Sequence, residues 1–210
     1  MRKIVTVIVS LLFASLAVSF AQKHTYRIEC GKKTSQVTFD TTVKGDAVYL
    51  YVVLGSQKSW FTLDKQYRTK DWHVVDEVQD TDLNIVYNGG KFSMKGKFKG
   101  KQVDRTWDGK GYPWYQHIGY SAGHFLKSET VPYNCIRPTD MEFFTMTATD
   151  MGQMDFKGMK VVRVKTAPHG AFAKLWSCDY YYDPETLDFA GYYGVEGGPG
   201  TPATYWILEK

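Results

Sequence analysis

The sequence predicts a mainly β, antiparallel domain that contains a single helix. Short runs that alternate or stay apolar, rich in Val, Ile, Tyr and Phe, recur along the chain and are typical of strands. Turn-forming pairs such as Asn88-Gly89 separate these runs. Only residues 113–127 show apolar side chains at helical spacing. Because strands and helices do not alternate, the pattern argues against a parallel α/β enzyme fold.

The amino terminus has the composition of a secretory signal peptide. Two basic residues precede an apolar run at residues 4–20, and Ser19-Phe20-Ala21 is a small-x-small cleavage motif. We therefore expect residues 1–21 to be removed by cleavage after Ala21 and the protein to be periplasmic or secreted. The alternative is an uncleaved anchor. Residues 22–210 suit one β-rich domain with a full core.

Charge and cysteine content exclude several classes of partner. Without the leader, 24 basic and 22 acidic residues remain, a balance that argues against nucleic acid binding. Three cysteines, Cys30, Cys135 and Cys178, match no zinc-site spacing. They allow at most one disulfide, whose pairing the sequence leaves open. We predict no metal and no cofactor.

The first half of the chain predicts consecutive strands, which we place at residues 25–30, 36–40, 47–54, 59–63 and 72–78. A hairpin follows, with Asn88-Gly89 as its loop. This loop places Ile85 opposite Phe92, and it places acidic residues opposite lysines on the other face. Gly100-Lys101 predicts the next two-residue turn.

Four lysines alternate along this region and are called the lysine row: Lys95, Lys97, Lys99 and Lys101. Such a row suggests a surface for anionic lipid or glycan. The predicted pairing also brings the carboxylates of Asp80, Asp82 and Asp104 beside it. Because these charges neutralise the row, we interpret it as an ordinary solvated surface without affinity for heparin.

The second half predicts the helix at 113–127 and then more strands, at residues 131–136, 142–149, 159–165, 171–182 and 203–208. Residues 176–193 form an aromatic hairpin. A four-residue loop that begins at Asp183-Pro184 places Tyr180 opposite Phe189 and Trp176 opposite Tyr193. Gly119 and Gly123 lie one turn apart and would let the helix approach a sheet closely.

No catalytic residue is predicted. Residues 119–123 match the G-x-S-x-G motif of hydrolases, but that motif needs a strand before the serine, and here a helical pattern precedes it. His117 and His124 lie about 10 Å apart along a helix, too far to share one zinc ion.

Residues 108–128 (DGKGYPWYQHIGYSAGHFLKS) and 181–204 (YYDPETLDFAGYYGVEGGPGTPAT) resemble a group of uncharacterised exported bacterial proteins. These are similar in turn to the lipoprotein-carrier-like fold. The resemblance implies a strongly curved antiparallel sheet, a half-barrel, with one central helix packed in its concavity. It implies no activity and no functional residues.

With that fold, the leading hypothesis is an exported non-enzymatic protein, associated with the cell envelope, that binds a lipid or another apolar small molecule between sheet and helix. The expected ligand-binding side chains are Trp114, Ile118, Phe125, Trp176, Tyr180, Tyr182 and Phe189. The alternative is an envelope structural or interaction protein with a filled core and no ligand. A hydrolase is the third and least favoured hypothesis.

Overall fold

The fold is one antiparallel sheet of 14 strands, curved around a short helix but not closed on itself. The computed structural model describes residues 20–126, 130–174, 176–195 and 201–209. Its strands are β1 Phe20–Cys30, β2 Lys33–Lys44, β3 Ala47–Leu54, β4 Gln57–Asp64, β5 Thr69–Asp76, β6 Thr81–Asn88, β7 Lys91–Phe98, β8 Lys101–Asp108, β9 Thr130–Arg137, β10 Glu142–Phe156, β11 Met159–Pro168, β12 Cys178–Tyr182, β13 Phe189–Val195 and β14 Ala203–Leu208. Helix α1 spans Ile118–Phe125, and Gly170–Lys174 form a 3-10 helix. This confirms the predicted fold class.

The sheet follows the chain order from β8 back to β1, where β1 pairs with β14, and then runs from β14 to β9. Its two edge strands, β8 and β9, belong to opposite ends of this order. Contacts nevertheless link the two ends: the rings of Phe92 and Phe143 lie 5.0 Å apart, and Arg105 pairs with Glu142 at 3.5 Å. The curvature therefore brings the ends of the sheet together around the core.

Two-residue turns explain six of the hairpins, but the predicted registers need correction. In the β6–β7 hairpin the loop is Gly89-Gly90, and Ile85 lies opposite Met94, not Phe92. Both glycines have positive φ, 57° and 81°, as this turn class requires. The next loop is likewise displaced, because Phe98 pairs directly with Lys101. A displacement of two residues keeps every side chain on its predicted face.

The aromatic hairpin also departs from its predicted register. Tyr182 lies opposite Phe189, and Tyr180 lies opposite Tyr192 across a bulge. Asp183 does cap the turn, since its carboxylate accepts hydrogen bonds from the N–H groups of Glu185 and Thr186. These hydrogen bonds, first that of Thr186, lower the pKa of Asp183.

The helix is shorter than the sequence predicts, because its first turn is replaced by an extended segment. The carbonyl oxygen of Trp114 accepts a hydrogen bond from the N–H of Thr69, and the carbonyl oxygen of Pro113 accepts one from the N–H of Asn134. The segment is therefore tied to β5 and β9 across the concavity. The predicted strand at 171–182 is also shorter, because the 3-10 helix occupies part of it and β12 begins at Cys178.

The main core lies between the concave face of the sheet, α1 and the segment before it. A smaller core on the other face of the sheet contains Phe156, Val161, Tyr181 and Ala190. In the described ranges no helix has the length and apolar character of a membrane span. Residues 1–19 of the predicted signal peptide lie outside the described residues.

Candidate functional site

The predicted ligand site between α1 and the aromatic hairpin is occupied by the protein's own side chains. Ile118, Tyr182 and Phe189 are all buried there. The hydroxyl of Tyr182 donates to the carbonyl oxygen of Ile118 at 2.7 Å. The ring centroids of Tyr182 and Phe189 lie 6.0 Å apart. The helix therefore packs directly on β12 and β13.

The glycines of α1 show how close this contact is. A Cβ atom on Gly123 would lie 2.8 Å from the Tyr182 ring and 2.5 Å from the carbonyl oxygen of Leu187. A Cβ atom on Gly119 would lie 3.3 Å from the Phe189 ring. The expected role of these glycines in close packing is confirmed.

A small opening lies beside this contact, between α1 and strands β1, β2 and β13. Its lining includes Tyr26, Phe39, Tyr120 and Phe189, and its volume is about 10 Å³. A space of this size holds about one water molecule. An acyl chain does not fit in it.

The remaining predicted site residues do not form one wall. Trp114 is fully buried but packs on Phe92 of β7, with ring centroids 5.1 Å apart. Trp176 precedes β12, is 36% exposed, and donates from its indole N–H to the carbonyl of Val195 at 2.8 Å. It lies opposite no residue of β13, so the expectation that Trp176 and Tyr193 pair across the hairpin is wrong. Tyr180 is half-buried, and the side chain of Phe125 is outside the described residues.

The serine and histidines of α1 do not form a catalytic arrangement. Ser121 is completely buried, and its hydroxyl donates to the carbonyl of His117 at 3.1 Å. The His117 ring packs edge-on against Phe39 and Phe61, and burial lowers its pKa to about 4. His124 stacks on Tyr67 at 3.9 Å. No group of three or more potential metal ligands occurs among the described residues.

A cleft of about 300 Å³ opens where the β4–β5 turn, the end of β6 and the segment before α1 meet. Gln66, Arg68 and Lys70 line one side, and the other side is formed by Tyr87, residues 111–113 and Tyr115. The hydroxyl of Tyr87 donates to the carbonyl of Tyr112 at 3.1 Å, which ties the end of β6 to the segment before α1.

The outer face of the sheet carries a row of three stacked rings, which we call the aromatic row: Tyr51 on β3, Trp60 on β4 and His73 on β5. The residues are direct cross-strand partners. Their ring centroids lie 5.1 Å and 5.3 Å apart, each pair inclined by only 27°. The Trp60 side chain is 39% exposed, so one edge of the row faces solvent.

Polar residues continue the aromatic row on both sides. Asp40 of β2 is the cross-strand partner of Tyr51, and Asn84 of β6 is the partner of His73. The Nε2 atom of His73 also lies 2.8 Å from a carboxylate oxygen of Asp82. The row therefore has an apolar centre with hydrogen-bonding groups at its two ends.

This row is not among the sites expected from the sequence, although the sequence contains one signal for it. The Gly55-Ser56 turn, read as a two-residue loop, places Tyr51 opposite Trp60, as observed. Trp60 stands between Ser59 and Phe61, which are both buried, so alternation alone puts the tryptophan on the outer face.

No family model matches the chain, and no curated protein matches it. Among the solved structures that are similar to it over most of its length are two bacterial proteins. One is a hypothetical lipoprotein, YmcC from Escherichia coli (K12), with 10% identity, 89% of this chain and 83% of that chain covered, and a TM-score of 0.35. The other is a DUF1329 family protein from Desulfovibrio piger, with 11% identity, 93% and 85% covered, and a TM-score of 0.30. Neither description names an activity, and with TM-scores this low neither similarity bears on the function of this chain.

Proposed function

We propose that this chain is an exported, non-enzymatic protein that binds carbohydrate through the aromatic row on the outer face of β3–β5. The observation that carries the proposal is the stacking of Tyr51, Trp60 and His73 in nearly parallel planes. Two inter-strand spacings give the row a length of about 10 Å, which is comparable with a disaccharide.

The chemistry of the row matches the two-sided character of a sugar ring. The C–H face of a pyranose is apolar and gains free energy when it covers apolar surface, which the row offers at the solvent-exposed edges of its stacked rings. The hydroxyl groups at its rim need hydrogen-bond partners, and Asp40 and Asn84 supply carboxylate and amide groups at the ends of the row.

The competing proposal is the one expected from the sequence, an apolar ligand between sheet and helix. It requires α1 to move away from β12 and β13, because Tyr182 and Phe189 occupy that space. Breaking the buried hydrogen bond from Tyr182 to Ile118 would leave its partners unpaired and add about 1–3 kcal/mol to the cost of that movement. Carbohydrate binding on the outer face needs no such rearrangement.

Export is part of the proposal and rests on the basic, apolar and small-residue pattern of residues 1–21. Cleavage after Ala21 would leave residues 22–30 of β1, where Gln22 pairs with Thr41. Mass measurement of the protein purified from its host tests this part. A mature chain that begins at Gln22 supports it, and a full-length chain recovered from the cytoplasm contradicts it.

The binding test is affinity electrophoresis of the mature protein through gels that contain soluble polysaccharides, neutral and acidic, followed by titration with the oligosaccharide of any that retards it. We expect Trp60→Ala to weaken binding roughly tenfold or more, as for a central aromatic contact. The matched control is Trp176→Ala, since Trp176 is exposed to a similar degree but lies outside the row. Thermal melts of both variants show that they are folded.

The outcomes separate the two proposals. Retardation that Trp60→Ala abolishes and Trp176→Ala preserves supports carbohydrate binding by the row. Absence of binding to every polysaccharide, or equal losses in both variants, rejects it. Co-purified lipid in native mass spectra of protein from its own host would favour the apolar-ligand proposal instead.

A further inference from the structure

The cleft between the β4–β5 turn and the segment before α1 is separate from the aromatic row and has its own chemistry. Its two cationic side chains, Arg68 and Lys70, are both held by Asp64. The guanidinium Nη2 of Arg68 lies 2.7 Å from the Asp64 carboxylate, and the ammonium of Lys70 lies 3.3 Å from it. Two positive charges therefore face the cleft beside one negative charge.

The turn that presents these cations is ordered by the same carboxylate. Asp64 accepts hydrogen bonds from the backbone N–H groups of Gln66 and Arg68, at 2.9 Å and 3.0 Å. Partial burial raises the pKa of Asp64, but these bonds and the Arg68 guanidinium outweigh burial and lower it. Asp64 thus stays ionised and fixes the positions of both cations.

The opposite wall of the cleft is aromatic. Tyr87 is anchored by its hydrogen bond to the Tyr112 carbonyl, and Tyr115 is almost completely buried. The volume of about 300 Å³ lies at the lower end of small-molecule sites. It suits a ligand of monosaccharide size that places a ring against the tyrosines.

We propose that this cleft binds a small organic carboxylate of monosaccharide size, with its negative charge beside Lys70 and Arg68 and its ring against Tyr87 and Tyr112. Arg68, Lys70 and Asp64 together carry one net positive charge, which a singly charged carboxylate balances. A doubly charged phosphate would leave an excess negative charge in the cleft. The proposal is independent of carbohydrate binding on the outer face.

The test uses the mature protein and three probes: D-glucuronate, neutral D-glucose and inorganic phosphate, titrated by nuclear magnetic resonance. We expect glucuronate to bind with millimolar affinity and Lys70→Gln to weaken it roughly five- to tenfold, the effect of one charge-assisted hydrogen bond in a partly exposed site. The matched control is Lys65→Gln, which removes the same charge from the adjoining β4–β5 turn, at an exposed residue outside the cleft lining. That control should change binding less than about twofold.

Each other outcome overturns the proposal. Glucose that binds as tightly as glucuronate would mean that the cations play no part. Phosphate that binds more tightly than glucuronate would contradict the charge balance. Equal weakening in the two lysine variants would place the effect outside the cleft, and absence of glucuronate binding at millimolar concentration would reject the site.

Discussion

Replacement of Gly123 by alanine tests directly whether α1 is packed on the hairpin or stands away from it. Helix propensity alone predicts that Gly123→Ala stabilises the protein by about 1 kcal/mol. The structure predicts the opposite, because the new methyl group would lie 2.5 Å from the carbonyl oxygen of Leu187 and 2.8 Å from the Tyr182 ring. The carbonyl belongs to the backbone, so no change of side-chain rotamer relieves the clash.

The magnitude follows from these contacts. Overpacking of a filled core costs about 1–3 kcal/mol, and displacement of Tyr182 weakens its hydrogen bond to Ile118, worth about 1 kcal/mol. After the gain in propensity is subtracted, we expect the free energy of unfolding to fall by about 1–3 kcal/mol. Urea denaturation followed by tryptophan fluorescence measures this as a lower midpoint with an unchanged slope.

Gly119→Ala is the control on the same helix. Its methyl group would lie 3.3 Å from the ring of Phe189, a side chain that can move by a few tenths of an ångström. We expect this variant to be as stable as the wild type or slightly more stable. A Gly123→Ala protein that gains stability as Gly119→Ala does would refute the packed arrangement and restore the open cavity of the apolar-ligand hypothesis.

Three further predictions concern pH, thiols and surface charge. Burial lowers the pKa of His117 from 6.5 to about 4. The unfolded chain therefore takes up a proton at His117 before the folded protein does, so the free energy of unfolding is unaffected above pH 6.5 and decreases as the pH falls toward 4. At pH 5 the loss is at most about 2 kcal/mol, and a His117→Leu variant should lack this part of the pH dependence in urea denaturation. Burial also raises the pKa of Cys178 to about 11, so Cys178 should resist alkylation in the folded protein and react in denaturant; rapid labelling of the native chain would contradict this. Finally, Lys97 pairs with Asp80 at 2.8 Å and Lys95 with Asp104 at 3.5 Å, so the lysine row should not hold the mature protein on heparin at low salt, and retention that depends on those lysines would show the row to be a binding surface.

The hairpins show why strand faces were predictable and exact partners were not. In β6 the buried residues Thr81, Leu83 and Ile85 alternate with exposed ones, as the sequence pattern indicates. Both Asn88-Gly89 and Gly89-Gly90 suit a two-residue loop, and the two registers bury the same faces. The observed register places Gly96 opposite Leu83, with a φ of 130° that favours glycine.

The candidate site was less predictable, because aromatic residues in a β-rich chain have two destinations. Tyr182 and Trp60 both lie in strands, yet the first is buried against α1 and the second is 39% exposed beside Tyr51. Composition does not distinguish them, and Trp176, expected to line a ligand site between sheet and helix, lies at the surface. The cleft was also missed, since Lys70 and Tyr112 belong to segments distant in sequence.

By itself the sequence determined the fold class, the approximate strands and the faces that they bury, because these depend on local periodicity and turn chemistry. Tertiary structure alone decided whether the concavity is open or filled. That outcome depends on how closely α1 approaches β12 and β13, and a difference of one side-chain width at Gly123 separates a cavity from a packed core. The aromatic row and the cleft also depend on tertiary structure. Both sites combine residues from different strands and turns, which come together only through the pairing and curvature of the sheet.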